Sequence, residues 1–89
     1  MKEFVPYKSD KVAYRIIDNE AVCVFLETQE VFVFNEVGSF IWELIDGKND
    51  FREIVRKVVS EFEVGYSEAE EDIDSFLEEL KQKNLIYIR

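Results

Sequence analysis

The sequence has no histidine, one cysteine, one proline and three glycines. Without histidine the commonest general base is missing, and with it the Ser-His-Asp and Cys-His arrangements and most zinc sites. A single cysteine rules out an intramolecular disulfide, and Cys23, between Val22 and Val24, reads as a small buried hydrophobe. The glycines do not gather into a phosphate-cradling G-x-G-x-x-G or G-K-[ST] loop. Glu70, Glu71, Asp72 and Asp74 wrap around a helix instead of converging, so they read as a solvated face, and no D-x-[DN]-x-[DN]-G calcium loop is present. The expectation is a chain that catalyses nothing alone and needs no cofactor or metal.

Long apolar runs are also missing. No stretch approaches the roughly 18 residues of a membrane span, and MKEFVPYKSDK lacks the apolar centre of a signal peptide. With one unpaired cysteine, this predicts a cytoplasmic protein. Basic residues are in the minority, 11 against 20 acidic, and the formal charge is −9. The excess is spread over both halves of the chain and repels phosphate backbones and anionic lipid, so nucleic acid and membrane are not expected partners.

What is present is core material. Of 89 residues 47% are apolar, with eight Phe, four Tyr and one Trp, enough for one small domain without staples. Residues 1–11 are polar, contain Pro6 and read as an extended N-terminal arm; 12–89 read as a single domain. VAYRII (12–17), AVCVFL (21–26) and VFVF (31–34) are strand candidates separated by Asp18-Asn19-Glu20 and Glu27-Thr28-Gln29-Glu30, which predicts an antiparallel meander.

At Asn35 the apolar period changes from that of a strand to that of a helix. Val37, Phe40, Ile41, Leu44 and Ile45 fall on one helical face, with Asn35 as N-cap and Gly47 as C-cap, predicting a helix over 36–46. Asp50 and Glu53 form a capping box for a second helix, striped by Phe51, Ile54, Val55, Val58, Val59 and Phe62 and ending near 63. Ser67 and Glu70 form the matching box for a third, striped by Ala69, Ile73, Phe76, Leu77 and Leu80 and ending near Lys83-Asn84. LIYIR (85–89) follows as a small extra strand or a packed tail. The order predicts an α+β fold, a three-stranded antiparallel β-meander followed by three α-helices.

The strands pose a problem. Val22, Val24 and Leu26 alternate with Ala21, Cys23 and Phe25, and Val31 and Val33 with Phe32 and Phe34, so both faces are apolar. A sheet backed by one helical layer shows polar residues on its open face. VFVF also stands at a sheet edge without the Lys, Pro or bulge that blunts edges. A cover is therefore expected: the N-terminal arm, the tail with Ile86 and Ile88, a second copy, or a partner strand. Trp42, between Ile41 and Glu43, lies off the stripe and packs against a neighbouring helix or meets a partner.

Residues 15–86 resemble the PqqD family, the small peptide-recognition domains (RiPP recognition elements) of ribosomal peptide biosynthesis. The likeness rests on Arg15, AVCVFL, the junction VFVFNEVGSFIWELIDG, the second helix FREIVRKVVSEFEV and the third-helix run EEDIDSFLEELKQKNLI. It departs at Asn84, where the family often has Gly, and at Glu36-Val37, where a small pair is usual. The resemblance implies a winged-helix-like, non-catalytic module. It captures the leader segment of a precursor peptide by strand addition and presents it to a modifying enzyme, often a radical SAM protein. Carried over, Val31, Phe32, Val33 and Phe34 supply the edge and Ile73, Phe76, Leu77 and Leu80 the groove wall, some of them pointing to the core. Lys81 pairs with acidic leader side chains.

Two readings compete. A winged-helix DNA-binding regulator needs a basic recognition helix, whereas the third helix carries Glu68, Glu70, Glu71, Asp72, Asp74, Glu78 and Glu79 against Lys81 and Lys83. A dimerisation or structural module would pair the apolar sheet face with itself, so a homodimer is a possible partner arrangement.

Overall fold

The computed structural model describes residues 4–89. Three antiparallel strands come early in the chain: β2 (Val12–Ile17), β3 (Glu20–Phe25) and β4 (Glu30–Val33), hydrogen-bonded in the order β2-β3-β4. The first hairpin is tight because Asp18 and Asn19 both adopt left-handed φ values, 51° and 66°, the conformation that two-residue turns require. In the second, Gln29 takes φ 64° and its amide closes the turn on the Phe25 carbonyl at 2.7 Å. Three helices follow, α1 (Glu36–Leu44), α2 (Phe51–Phe62) and α3 (Tyr66–Gln82). The α+β meander-and-helices architecture is as the sequence predicts.

The segment read as an arm is structured where it is described. β1 (Pro6–Lys8) pairs antiparallel with β5 (Ile86–Ile88), Tyr7 opposite Tyr87, as a separate two-stranded ladder. The tail is therefore a strand, and its partner is β1; neither segment covers β4. Residues 1–3 of the predicted arm lie outside the described residues.

Helix ends differ from expectation at two places. α1 stops at Leu44 because the Ile45 amide turns back to the Trp42 carbonyl (3.1 Å) and the chain then bridges to β1 through Tyr7 and Asp46. Gly47 is left-handed (φ 79°) as expected, but it serves this bridge, donating to the Pro6 carbonyl at 3.1 Å. α3 begins at Tyr66 with Gly65 as N-cap, so Ser67 lies inside the helix and makes no cap. The Ala69 amide reaches the Gly65 carbonyl at 3.0 Å, which starts the helix earlier than a Ser67 cap permits. The Asp50–Glu53 capping box on α2 is complete in both directions.

The core lies between the inner sheet face and the helices. Trp42, Phe51, Ile45, Ile54, Leu85 and Cys23 are among its fully enclosed side chains. Ser39 fastens the two layers: its Oγ accepts from the Ala21 amide (2.6 Å) and donates to the Phe34 carbonyl (3.1 Å). Trp42 is buried, but against the sheet side: Tyr14 meets it edge-on (5.5 Å), Phe34 lies at 5.7 Å, and the Lys8 ammonium sits 5.2 Å from its ring. No helix among the described residues is long and apolar enough to cross a membrane.

Candidate peptide-binding groove

The alternation read in β3 and β4 becomes a real two-faced sheet. Ala21, Cys23 and Phe25 are buried on the helix side, while Val31 and Val33, each 59% exposed, point outward. Phe32 and Phe34 turn inward and are only partly buried, because they form one wall of an open groove. Its volume is about 690 Å³. The floor comes from Gly38 and Ile41 of α1 and Val58 of α2, and the far wall from α3.

The backbone along this wall is unpartnered on one side. The Phe34 amide donates to the Ala21 carbonyl at 3.0 Å, toward β3. Because bonded and non-bonded positions alternate along an antiparallel strand, Val31 and Val33 turn their N–H and C=O groups away from β3, to the open edge. Exposed to solvent, they form the unpaired row of donors and acceptors to which a further strand can add.

α3 sets the other wall by helical arithmetic. Phe76 meets Phe34 edge-on (5.4 Å, 82°), and the Lys83 ammonium lies 5.5 Å from the Phe32 ring. α3 thus runs opposite to β4 across the groove. Ile73 and Leu80 line it from below, both almost wholly buried, and Glu68, Asp72 and Glu79 line its rim. Gly38 permits the close approach: a Cβ there would stand 3.2 Å from Phe34 Cβ and from Asn35 Oδ1, which itself accepts from the Gly38 amide at 2.8 Å.

Of the residues singled out from the sequence, the structure brings Val31, Phe32, Val33, Phe34, Ile73, Phe76 and Leu80 together around one groove. Leu77 and Lys81 are not among its lining; both belong to a separate shallow depression with Phe4 and Ile88, on another side of α3. Leu77 is a core residue, and Lys81 lies 3.9 Å from Glu78. Among the described residues the cation at the groove is Lys83, 3.0 Å from Glu79. Counting 100° per residue from Phe76 puts Ala69, Asp72, Glu79 and Lys83 on its face and Leu77 and Lys81 off it, which is the signal that apolar periodicity alone conceals.

The titrating groups nearby are structural. Burial pushes the Cys23 thiol up to about 11, with Lys8 opposing weakly, so it is no nucleophile at neutral pH. Burial lowers the pKa of Lys8, whose ammonium donates to the Ile45 carbonyl at 2.7 Å; Glu43 and Asp46 oppose the shift. The Asn49 amide, then that of Lys48, holds the Asp46 carboxyl below its usual value. Among the described residues no group of metal-ligating side chains converges.

Residues 20–86 match the family described as Coenzyme PQQ synthesis protein D (PqqD). The chain belongs to the PqqD family. Among solved structures, this PqqD-family chain is similar to TbiB1 in complex with the TbiA(beta) leader peptide, at 35% identity and a TM-score of 0.84, over 90% of this chain and 93% of that one. It also shares the fold of lasso peptide synthetase B1 complexed with the leader peptide, at 23% identity and a TM-score of 0.79, over 96% and 98% of the two chains. Among curated proteins no sequence matches.

Proposed function

We propose that this PqqD-family chain binds the leader segment of a ribosomally made precursor peptide as a fourth strand on β4 and presents it to a modifying enzyme. The observation that carries the reading is the pairing of an open strand edge with a groove beside it: Val31 and Val33 offer backbone groups, and Phe32, Phe34, Phe76 and Leu80 offer apolar surface. Edge hydrogen bonds give affinity to any extended chain, and the groove decides which side chains fit. TbiB1, similar over nearly the whole chain, is a protein seen with a leader peptide. In this reading the chain does no chemistry; the modification belongs to a partner, for which a radical SAM enzyme is the proposed class.

A DNA-reading role has the wrong charge, since α3 carries Glu68, Glu70, Glu71, Asp72 and Asp74 in its first half. Self-association through the outer face with Val31 and Val33 is compatible with peptide capture, and sedimentation velocity decides it. The main test is a titration of the precursor's leader followed by amide NMR. Shifts should concentrate at 31–34 and along the groove face of α3; a leader that moves only amides elsewhere removes the site.

A further inference from the structure

The groove's rim is electrically lopsided. Among the described residues Glu79 is matched by Lys83 (3.0 Å), whereas Glu68 and Asp72 have no cationic partner. They stand four residues apart on one face of α3, where like charges repel. Both are exposed and both line the groove. The carboxylates therefore sit beside the space a guest occupies, with no cationic partner among the described residues.

Their position along the groove follows from two contacts. Phe34 touches Phe76 and Phe32 lies under Lys83, so descending α3 toward its N-terminus means moving past the Phe34 end of β4. At 1.5 Å per helical residue, Asp72 lies about 6 Å and Glu68 about 12 Å beyond Phe76. A strand covers those distances in about two to four residues. An incoming strand antiparallel to β4, the more favourable pairing, has its N-terminal side at that end.

Resting on the leader-binding reading above, the geometry points to an extended peptide with a Lys or Arg about two to four residues N-terminal to the apolar residue that packs at Phe34 and Phe76. This reverses the sign expected from Lys81, which lies off the groove. The peptide's cation relieves the Glu68–Asp72 repulsion, and because both carboxylates are exposed the gain shrinks as salt rises.

The test is selection from a random dodecapeptide library displayed on phage, against the intact protein and two variants, with amide NMR on the enriched peptides. The wild type should enrich peptides with a basic residue at one fixed offset before an apolar pair spaced i, i+2. Replacing that base by a neutral residue should weaken binding about two- to fivefold at low salt. Glu68→Gln with Asp72→Asn should erase the preference, and Glu68→Lys with Asp72→Lys should turn it acidic; circular dichroism confirms that each variant is folded. Enriched peptides that shift amides 31–34 yet show no charge preference overturn the inference and leave the leader reading standing. Basic residues scattered over all positions also overturn it, since the formal charge of −9 alone explains them. Enriched peptides that leave 31–34 unshifted overturn both.

Discussion

The rings of Phe34 and Phe76 meet edge to face at 5.4 Å and 82°, joining the end of β4 to the middle of α3 across the groove. This contact ties the spacing of the two walls to two side chains, one from each. Truncating Phe76 removes the far partner while Phe34 still rests on Trp42 at 5.7 Å. Because Phe76 is only partly buried, Phe76→Ala should cost about 1–2 kcal/mol of stability, below the 3–5 typical of a core phenylalanine. It should weaken peptide binding more than tenfold. Urea denaturation and calorimetric titration together check both halves.

The strand edge allows a cleaner separation of fold from binding. Proline is tolerated on an edge strand where its missing N–H faces solvent. Val33→Pro removes an outward amide without touching the ladder to β3, so folding should survive with a change of about 1 kcal/mol or less. Leader affinity should fall at least several-fold. Phe32→Pro, which removes a donor directed at β3, should unfold or severely destabilise the protein, and thermal melts of the pair distinguish the two positions.

Ser39 carries a buried polar bridge whose loss is measurable. Ser39→Ala leaves the Ala21 amide without its 2.6 Å acceptor and the Phe34 carbonyl without its donor. An unsatisfied buried donor costs about 1–3 kcal/mol, and chemical denaturation should show a loss in that range. Ser39→Thr, which keeps the hydroxyl, isolates the hydrogen bond from the added methyl.

Stability should fall in alkali partly through Cys23. Its thiol is raised from 9.0 to about 11 by burial, so between those pH values the unfolded chain loses a proton that the folded chain keeps. The stabilisation is fully present below pH 9 and is lost as pH rises through 11. The fall should be no more than about 3 kcal/mol, the full shift taken at about 1.4 kcal/mol per pH unit. Cys23→Ala should flatten that segment of the curve in guanidinium titrations at pH 8 to 11. The native thiol should also resist alkylation at pH 8.

Much of this was legible in the chain because the apolar period changes sharply at Asn35, whose side chain caps α1 through the Gly38 amide at 2.8 Å. The edge of β4 was equally legible, since VFVF carries nothing that blunts it. Two things were hidden for physical reasons. β1 is three residues long and its partner β5 lies at the other end of the sequence, so no local period announces it. The faces of α3 were blurred because Ile73, Leu77 and Leu80 are all buried, and burial alone does not tell the core side from the groove side. Phe76, half-buried and facing Phe34, centres the groove face, whereas Leu77, about 100° round the helix, belongs to the core.

The β1–β5 ladder also sets how the molecule bears a load. Val5 and Arg89 exchange backbone hydrogen bonds at 3.1 and 2.9 Å, so the chain enters β1 and leaves β5 at the same end of one antiparallel pair. A force applied to the two termini therefore unzips that pair bond by bond instead of shearing it, and single-molecule pulling should show a first rupture at low force. The β2-β3-β4 sheet feels the pull only after the ladder has opened, which makes the terminal ladder a mechanical fuse for the rest of the fold.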